Sequence, residues 1–158
     1  MTGVRNIFWW LCFALAAVWA QSRLPGLDAL AAGIIILFQE RDYRNMLWLL
    51  PVFILIQEGM GTRFFGGAII WYTAVVLFFL IGHWLFEVDT FLFVLILSAS
   101  LVAPYMAIEA LMAPLQQLPF QPMQSLDKSV MQAVFLPFAW QLLVWSRRLL
   151  KPRYSMTP

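Results

Sequence analysis

Between Phe64 and Phe86 not one Asp, Glu, Lys or Arg interrupts the chain, and the same holds from Phe91 to Ile108. A helix needs ~20 such residues to cross the hydrocarbon core of a bilayer. Lipid offers the backbone no water, so a spanning segment must pair its own N–H and C=O groups, as a helix or within a closed barrel. The apolar residues run on continuously instead of alternating, which points to helices. Composition agrees. The chain is 63% hydrophobic and 11% charged, where soluble domains carry about 25% charged residues. A water-soluble fold of 158 residues leaves too much of its surface wet to hide the remainder. The expected fold is therefore all-α, a single integral membrane domain over residues 1–158.

Polar punctuation divides that domain into a polytopic bundle of about six transmembrane helices. The apolar runs are Asn6 to Gln21, Leu27 to Phe38, Met46 to Gln57, Phe64 to Phe86, Phe91 to Met112 and Ser129 to Ser146. The second and third are short, and half-spanning or re-entrant segments shielded by the other helices are the alternative. Pro104 predicts a kink in the fifth run. Within the Pro- and Gln-rich stretch Ala113 to Lys128, prolines bias Pro114 to Gln124 toward an extended chain, and Arg147 to Pro158 reads as a short basic tail. With an even number of spans, Arg5, Arg41, Arg44, Arg147, Arg148, Lys151 and Arg153 share one side, leaving Arg23, Arg63 and Lys128 on the other. The richer side is cytoplasmic by the positive-inside rule, so both termini are expected there. Trp9, Trp10, Trp48, Trp84 and Trp145 fall at that same interface, where indole rings anchor helices at headgroup depth. Arg5, the apolar run and Val18-Trp19-Ala20 also fit a cleavable signal peptide, which would leave five spans.

Ionisable residues near membrane depth are the most informative, because each costs ~2.5–3.5 kcal/mol at a helix centre unless it has a partner or a wet cavity. Arg23, Glu58, Arg63 and Glu109 all fall on the expected outer side, as a candidate polar cluster or as separate residues in wetted headgroups. The uncharged outer segment around Pro114, Leu118, Phe120 and Pro122 is a candidate partner-docking loop. Alanines and glycines recur at four-residue spacing at Ala16/Ala20, Ala29/Gly33 and Ala99/Ala103/Ala107. Such stripes let helices approach closely in lipid, within the bundle or against a partner. His83 with Glu87 and Asp89 is too thin a set for a metal, and Cys12 reads as apolar filler. No Gly-x-Ser-x-Gly elbow, His-Glu-x-x-His helix or phosphate-cradling loop is present. The sequence therefore points to no catalytic residue, metal or cofactor, and its few scattered basic residues point to no nucleic-acid partner.

Arg5 before the first helix, the Ser22-Arg23-Leu24-Pro25 turn after it, two apolar runs around Arg41 and Arg44, Gln57-Glu58-Gly59 before a long helix, and a final Arg147-Arg148 form a pattern over most of the chain. In that plan it resembles the bacterial rod shape-determining protein MreD family. It departs from the family where Leu50-Pro51-Val52 and Glu58 stand in place of a glycine-rich run and an aspartate. The resemblance implies a six-helix fold similar to the substrate-binding subunits of vitamin-uptake transporters. It also implies a multi-pass protein of the bacterial inner membrane that scaffolds cell elongation beside the single-span partner MreC, linking cytoplasmic filaments to wall (peptidoglycan) synthesis. The alternative is a small-molecule-binding subunit of an uptake transporter, its cavity opening outward near Glu58, Arg63 and Glu109.

Overall fold

A computed structural model describes residues 3–24, 26–61 and 66–150, and every regular element among them is helical. The helices are α1 (Gly3–Arg23), α2 (Leu30–Gln39), α3 (Tyr43–Gly59), α4 (Gly67–Leu85), α5 (Phe91–Ser100), α6 (Val102–Leu115) and α7 (Pro122–Leu150). Segments α5 and α6 run in series. Their break at Leu101 comes three residues before Pro104, which has no N–H to give the Ser100 carbonyl.

Among the described residues four helices are long and apolar enough to cross a membrane: Val4–Arg23, Gly67–Leu85, Phe91–Leu115 and Pro122–Leu149. The two runs missing from the expected six are α2, only 10 residues long or about 15 Å, half the ~30 Å of a hydrocarbon core, and α3, about 26 Å. Leu27, Asp28 and Ala29 of the expected second run are not helical. The third run grows instead, to the 17 residues of α3.

Helix α2 is the centre of the molecule. Every residue from Leu30 to Leu37 is buried, leaving it no outer face. An α-helix that is apolar all round must be enclosed on all sides, and α3, α4 and α7 pack against it. Helix α1 meets it at Gly33, where an added Cβ would lie 2.5 Å from the Phe13 ring and 3.2 Å from Phe53. Of the small-residue stripes, Ala29/Gly33 thus faces inward, whereas Ala99, Ala103 and Ala107 are all exposed on α5 and α6.

A tight double turn ends α2. Arg41 takes a positive φ of 51°, Arg41 N–H bonds the Phe38 carbonyl at 3.3 Å and Asp42 N–H reaches back to Leu37 at 3.2 Å. This is a Schellman stop with arginine where glycine is usual. The next residue starts a new helix: Asp42 caps α3 by accepting from Asn45 N–H.

The stretch expected to be extended, Pro114 to Gln124, is helical only at its two ends, and residues 118–121 between them are non-helical. Residues 113–115 finish α6, a second positive-φ stop at Gln117 turns the chain, and α7 begins at Pro122. Proline suits a first helical position because its missing N–H would have no partner there anyway. Helix α7 then continues for 29 residues, and Arg147 lies within it, not in a tail; residues 151–158 fall outside the described residues. Arg147 reaches Asn6 at 3.4 Å, so the start of α1 and the end of α7 lie at the same end of the bundle.

Substituting Gly33→Ala drives a methyl into the Phe13 ring. A loss of about 1–3 kcal/mol is expected, the usual cost of overpacking, read as a lower unfolding temperature in detergent. A Gly59→Ala control, at a glycine with open space around it, should not reproduce the loss.

Candidate functional site

Asp28 is fully buried just before α2, and neighbours from three helices converge on it. Its Oδ1 accepts from Gln21 Nε2 at 3.1 Å, Ala31 N at 3.2 Å and Tyr72 OH at 3.3 Å. Its Oδ2 accepts from Trp71 Nε1 at 2.9 Å. Each of these partners donates, which suits a carboxylate acting purely as acceptor. The backbone is gripped as well. Asp28 N–H donates to Gln132 Oε1 at 2.6 Å, and Gln132 Nε2 donates to the Asp28 carbonyl at 2.9 Å. One glutamine of α7 thereby meets both the N–H and the C=O of a backbone position that lies outside the helices. Nearby, Tyr105 OH bonds the Gly26 carbonyl at 3.4 Å, and its ring meets Trp71 edge-on.

A second polar assembly closes the opposite end of α2. Arg147 of α7 forms an ion pair with Glu40. Its guanidinium sits 4.5 Å from the centre of the Trp9 ring and 5.0 Å from that of Trp10. Its Nε and Nη1 find no hydrogen-bond acceptor, so the indole faces are what stabilise them, by about 0.5–2 kcal/mol per ring for a cation over an aromatic. Trp140 Nε1 donates to Gln39 Oε1 at 2.6 Å, and Gln39 in turn donates to the Val88 carbonyl. A cavity of about 320 Å³ opens beside this assembly.

The expected outer residues take separate partners. Glu58 caps α4: its two oxygens accept from Gly66 N at 2.9 Å and Ala68 N at 3.0 Å. A carboxylate there meets both the free N–H groups and the positive end of the helix dipole. Arg23 stacks on Trp19 of its own helix at 5.3 Å. Glu109 faces Lys128 at 4.0 Å, and Arg63 falls outside the described residues. Of the expected docking loop, Leu118 and Phe120 line an open cavity of about 470 Å³ beside Glu109, Gln124 and Lys128, whereas Pro114 and Pro122 do not.

Of the tryptophans, Trp84 and Trp145 stand exposed. Trp48 is half-buried and donates to Asn45 at 3.0 Å, while Trp9 and Trp10 turn inward onto Arg147. His83 is exposed at the end of α4, and Cys12 is exposed on α1. Among the described residues no group of three or more His, Cys, Asp or Glu is placed to hold a metal.

Sequence reasoning passed over Asp28, Gln132 and Gln21. A signal for the first existed: an acid one residue into an apolar run is costly without partners. Ser125, Ser129 and Gln132 also share a four-and-three spacing that puts polar groups on one face of α7, and all three are buried. Chemically the arrangement binds and positions backbone; neither assembly brings a nucleophile against a base. Scans of family models, of curated proteins and of solved structures each find no match for this chain.

Replacing Asp28 by Asn puts an amide N–H₂ among donors, leaving at least one buried donor unmet. The expected cost is about 1–3 kcal/mol per unmet group, measured as lost thermal stability in detergent. Glu58→Ala removes both contacts to α4 and should cost about 0.5–2 kcal/mol, the range for a lost helix cap, with Glu58→Gln recovering part of it.

Proposed function

We propose that this protein is a non-enzymatic, multi-pass scaffold of the bacterial inner membrane, working in the cell-elongation machinery. In this reading all six helical rods lie within the bilayer, α2 enclosed by the others, and both chain ends are cytoplasmic. The Arg147 end, with Arg5, Arg41, Arg44 and Arg148 in its loops and helix ends, is then the cytoplasmic one. Its partner is a single-span periplasmic protein of the MreC type, through which wall synthesis is linked to cytoplasmic filaments.

The observation that carries the reading is the stripe Ala99, Ala103 and Ala107, which faces outward instead of into the bundle. Lipid-facing positions gain nothing from being small. A partner helix does gain, because without a hydrophobic force between helices in lipid, close backbone approach is what stabilises their association. The two internal polar assemblies support a structural role too, since their groups are spent on holding α2.

One observation favours a second reading, a small-molecule-binding subunit of an uptake transporter. The outer cavity of about 470 Å³ lies within the ~300–1,000 Å³ usual for ligand sites, and Glu109 and Lys128 offer it both charges.

Ala103→Leu tests the first reading. Placed on an exposed position, it should change the unfolding free energy by no more than roughly 0.5 kcal/mol, as for a neutral surface change. Association with a co-expressed MreC-type single-span protein, assayed by pull-down in mild detergent, should fall sharply. Unchanged association in Ala103→Leu and in the triple leucine variant would remove the scaffold reading; a small molecule co-purifying with the chain, and lost in Glu109→Gln, would favour the second.

A further inference from the structure

We propose that the cavity at the Arg147 end binds one phospholipid, of the class whose headgroup carries a phosphate diester and a primary ammonium together. The cavity, about 320 Å³, is lined by two bases and two acids, Arg147, Arg148, Glu40 and Asp89. Arg147 is buried and pairs with the half-buried Glu40, while Arg148 and Asp89 are exposed. Neither exposed residue has an ion-pair partner among the described residues.

A site with equal numbers of opposite charges complements neither a simple anion nor a simple cation. It complements a zwitterion, with phosphate oxygens on the exposed Arg148 guanidinium and ammonium hydrogens on the Asp89 carboxylate. Partial burial strengthens both contacts, because the effective dielectric falls well below that of water.

The chemistry of the rest of the lining decides for a lipid over a free zwitterion. Besides the charges the cavity is lined by the apolar Ile36 and Val144, which suit the first carbons of an acyl-bearing ligand. The depth agrees as well. Trp84 and Trp145 are exposed at this same end, and exposed indoles collect at headgroup level, where basic pockets between helices recognise lipid heads. The inference rests on the membrane reading of the chain and on nothing about its partner.

The test uses the full chain in nanodiscs of phosphatidylethanolamine, phosphatidylglycerol or phosphatidylcholine, with retained lipid counted by native mass spectrometry. One phosphatidylethanolamine should be retained about fivefold more often than phosphatidylcholine, whose quaternary ammonium cannot donate a hydrogen bond. Asp89→Asn should erase that preference, and Arg148→Gln should weaken retention of all three lipids. Both positions are exposed, so helicity and unfolding temperature should stay unchanged.

Equal retention of phosphatidylcholine, or an undiminished preference in both variants, would overturn the inference. So would displacement of the lipid by water-soluble phosphoethanolamine at equal molar excess, which would assign the site to the free headgroup. Failure of the chain to enter nanodiscs at all would remove the membrane reading along with it.

Discussion

A helix of ten residues buried on every side has nowhere to send the free N–H groups at its start or the free carbonyls at its end. Its start is fully buried and its end lies in a half-buried turn, and unpaired polar groups in an apolar surrounding each cost several kcal/mol. Much of the remaining architecture answers that demand. Asp28 receives Ala31 N–H at the start of α2, and the turn at Arg41 and Asp42 folds back onto Leu37 and Phe38 at its end. The carboxylate that serves as acceptor must itself be satisfied, which brings in Gln21, Trp71 and Tyr72 from α1 and α4. One short helix thus dictates polar residues on its neighbours.

Helix α7 supplies both clamps. Along one face it buries Ser125, Ser129, Gln132, Leu136, Trp140 and Arg147, steps of three and four residues with a longer stride to Arg147. The stripe is polar where α2 starts, apolar beside its middle and polar again where it stops. Gln132 holds one end of α2 through Asp28, and Trp140 and Arg147 hold the other through Gln39 and Glu40. Pro137 lies between the clamps. Its missing N–H falls in a helix that packs against α2, α5 and α6, where tertiary contacts offset the local weakness.

The two faces of the molecule divide the work. Inward-facing small residues such as Gly33 permit the Phe13 and Phe53 rings to close over α2. The outward-facing alanines on α5 and α6 are chemically the same residues in the same spacing. Periodicity alone cannot tell these apart, because a four-residue repeat states that side chains share a face and not what the face meets. The same ambiguity covered the tryptophans. An indole at interface depth can turn toward lipid, as Trp84 and Trp145 do, or toward a buried arginine, as Trp9 and Trp10 do.

The helical class and the long apolar rods follow from the sequence alone, since uncharged runs from Phe64 to Phe86 and from Phe91 to Ile108 leave the backbone no cheaper way to bond itself. The stop at Arg41 and the start at Asp42 lay in a polar hinge that was equally plain. What only the tertiary structure decided was the fate of the second run, which hydropathy makes a short span and folding makes an enclosed core helix. Hydropathy adds transfer energies residue by residue, whereas burial on all sides is a property of the neighbours. For the same reason Asp28 read as part of an apolar run and Arg147 as part of a tail. Each has a partner far along the chain, 104 and 141 positions away respectively, a distance over which no local pattern carries information.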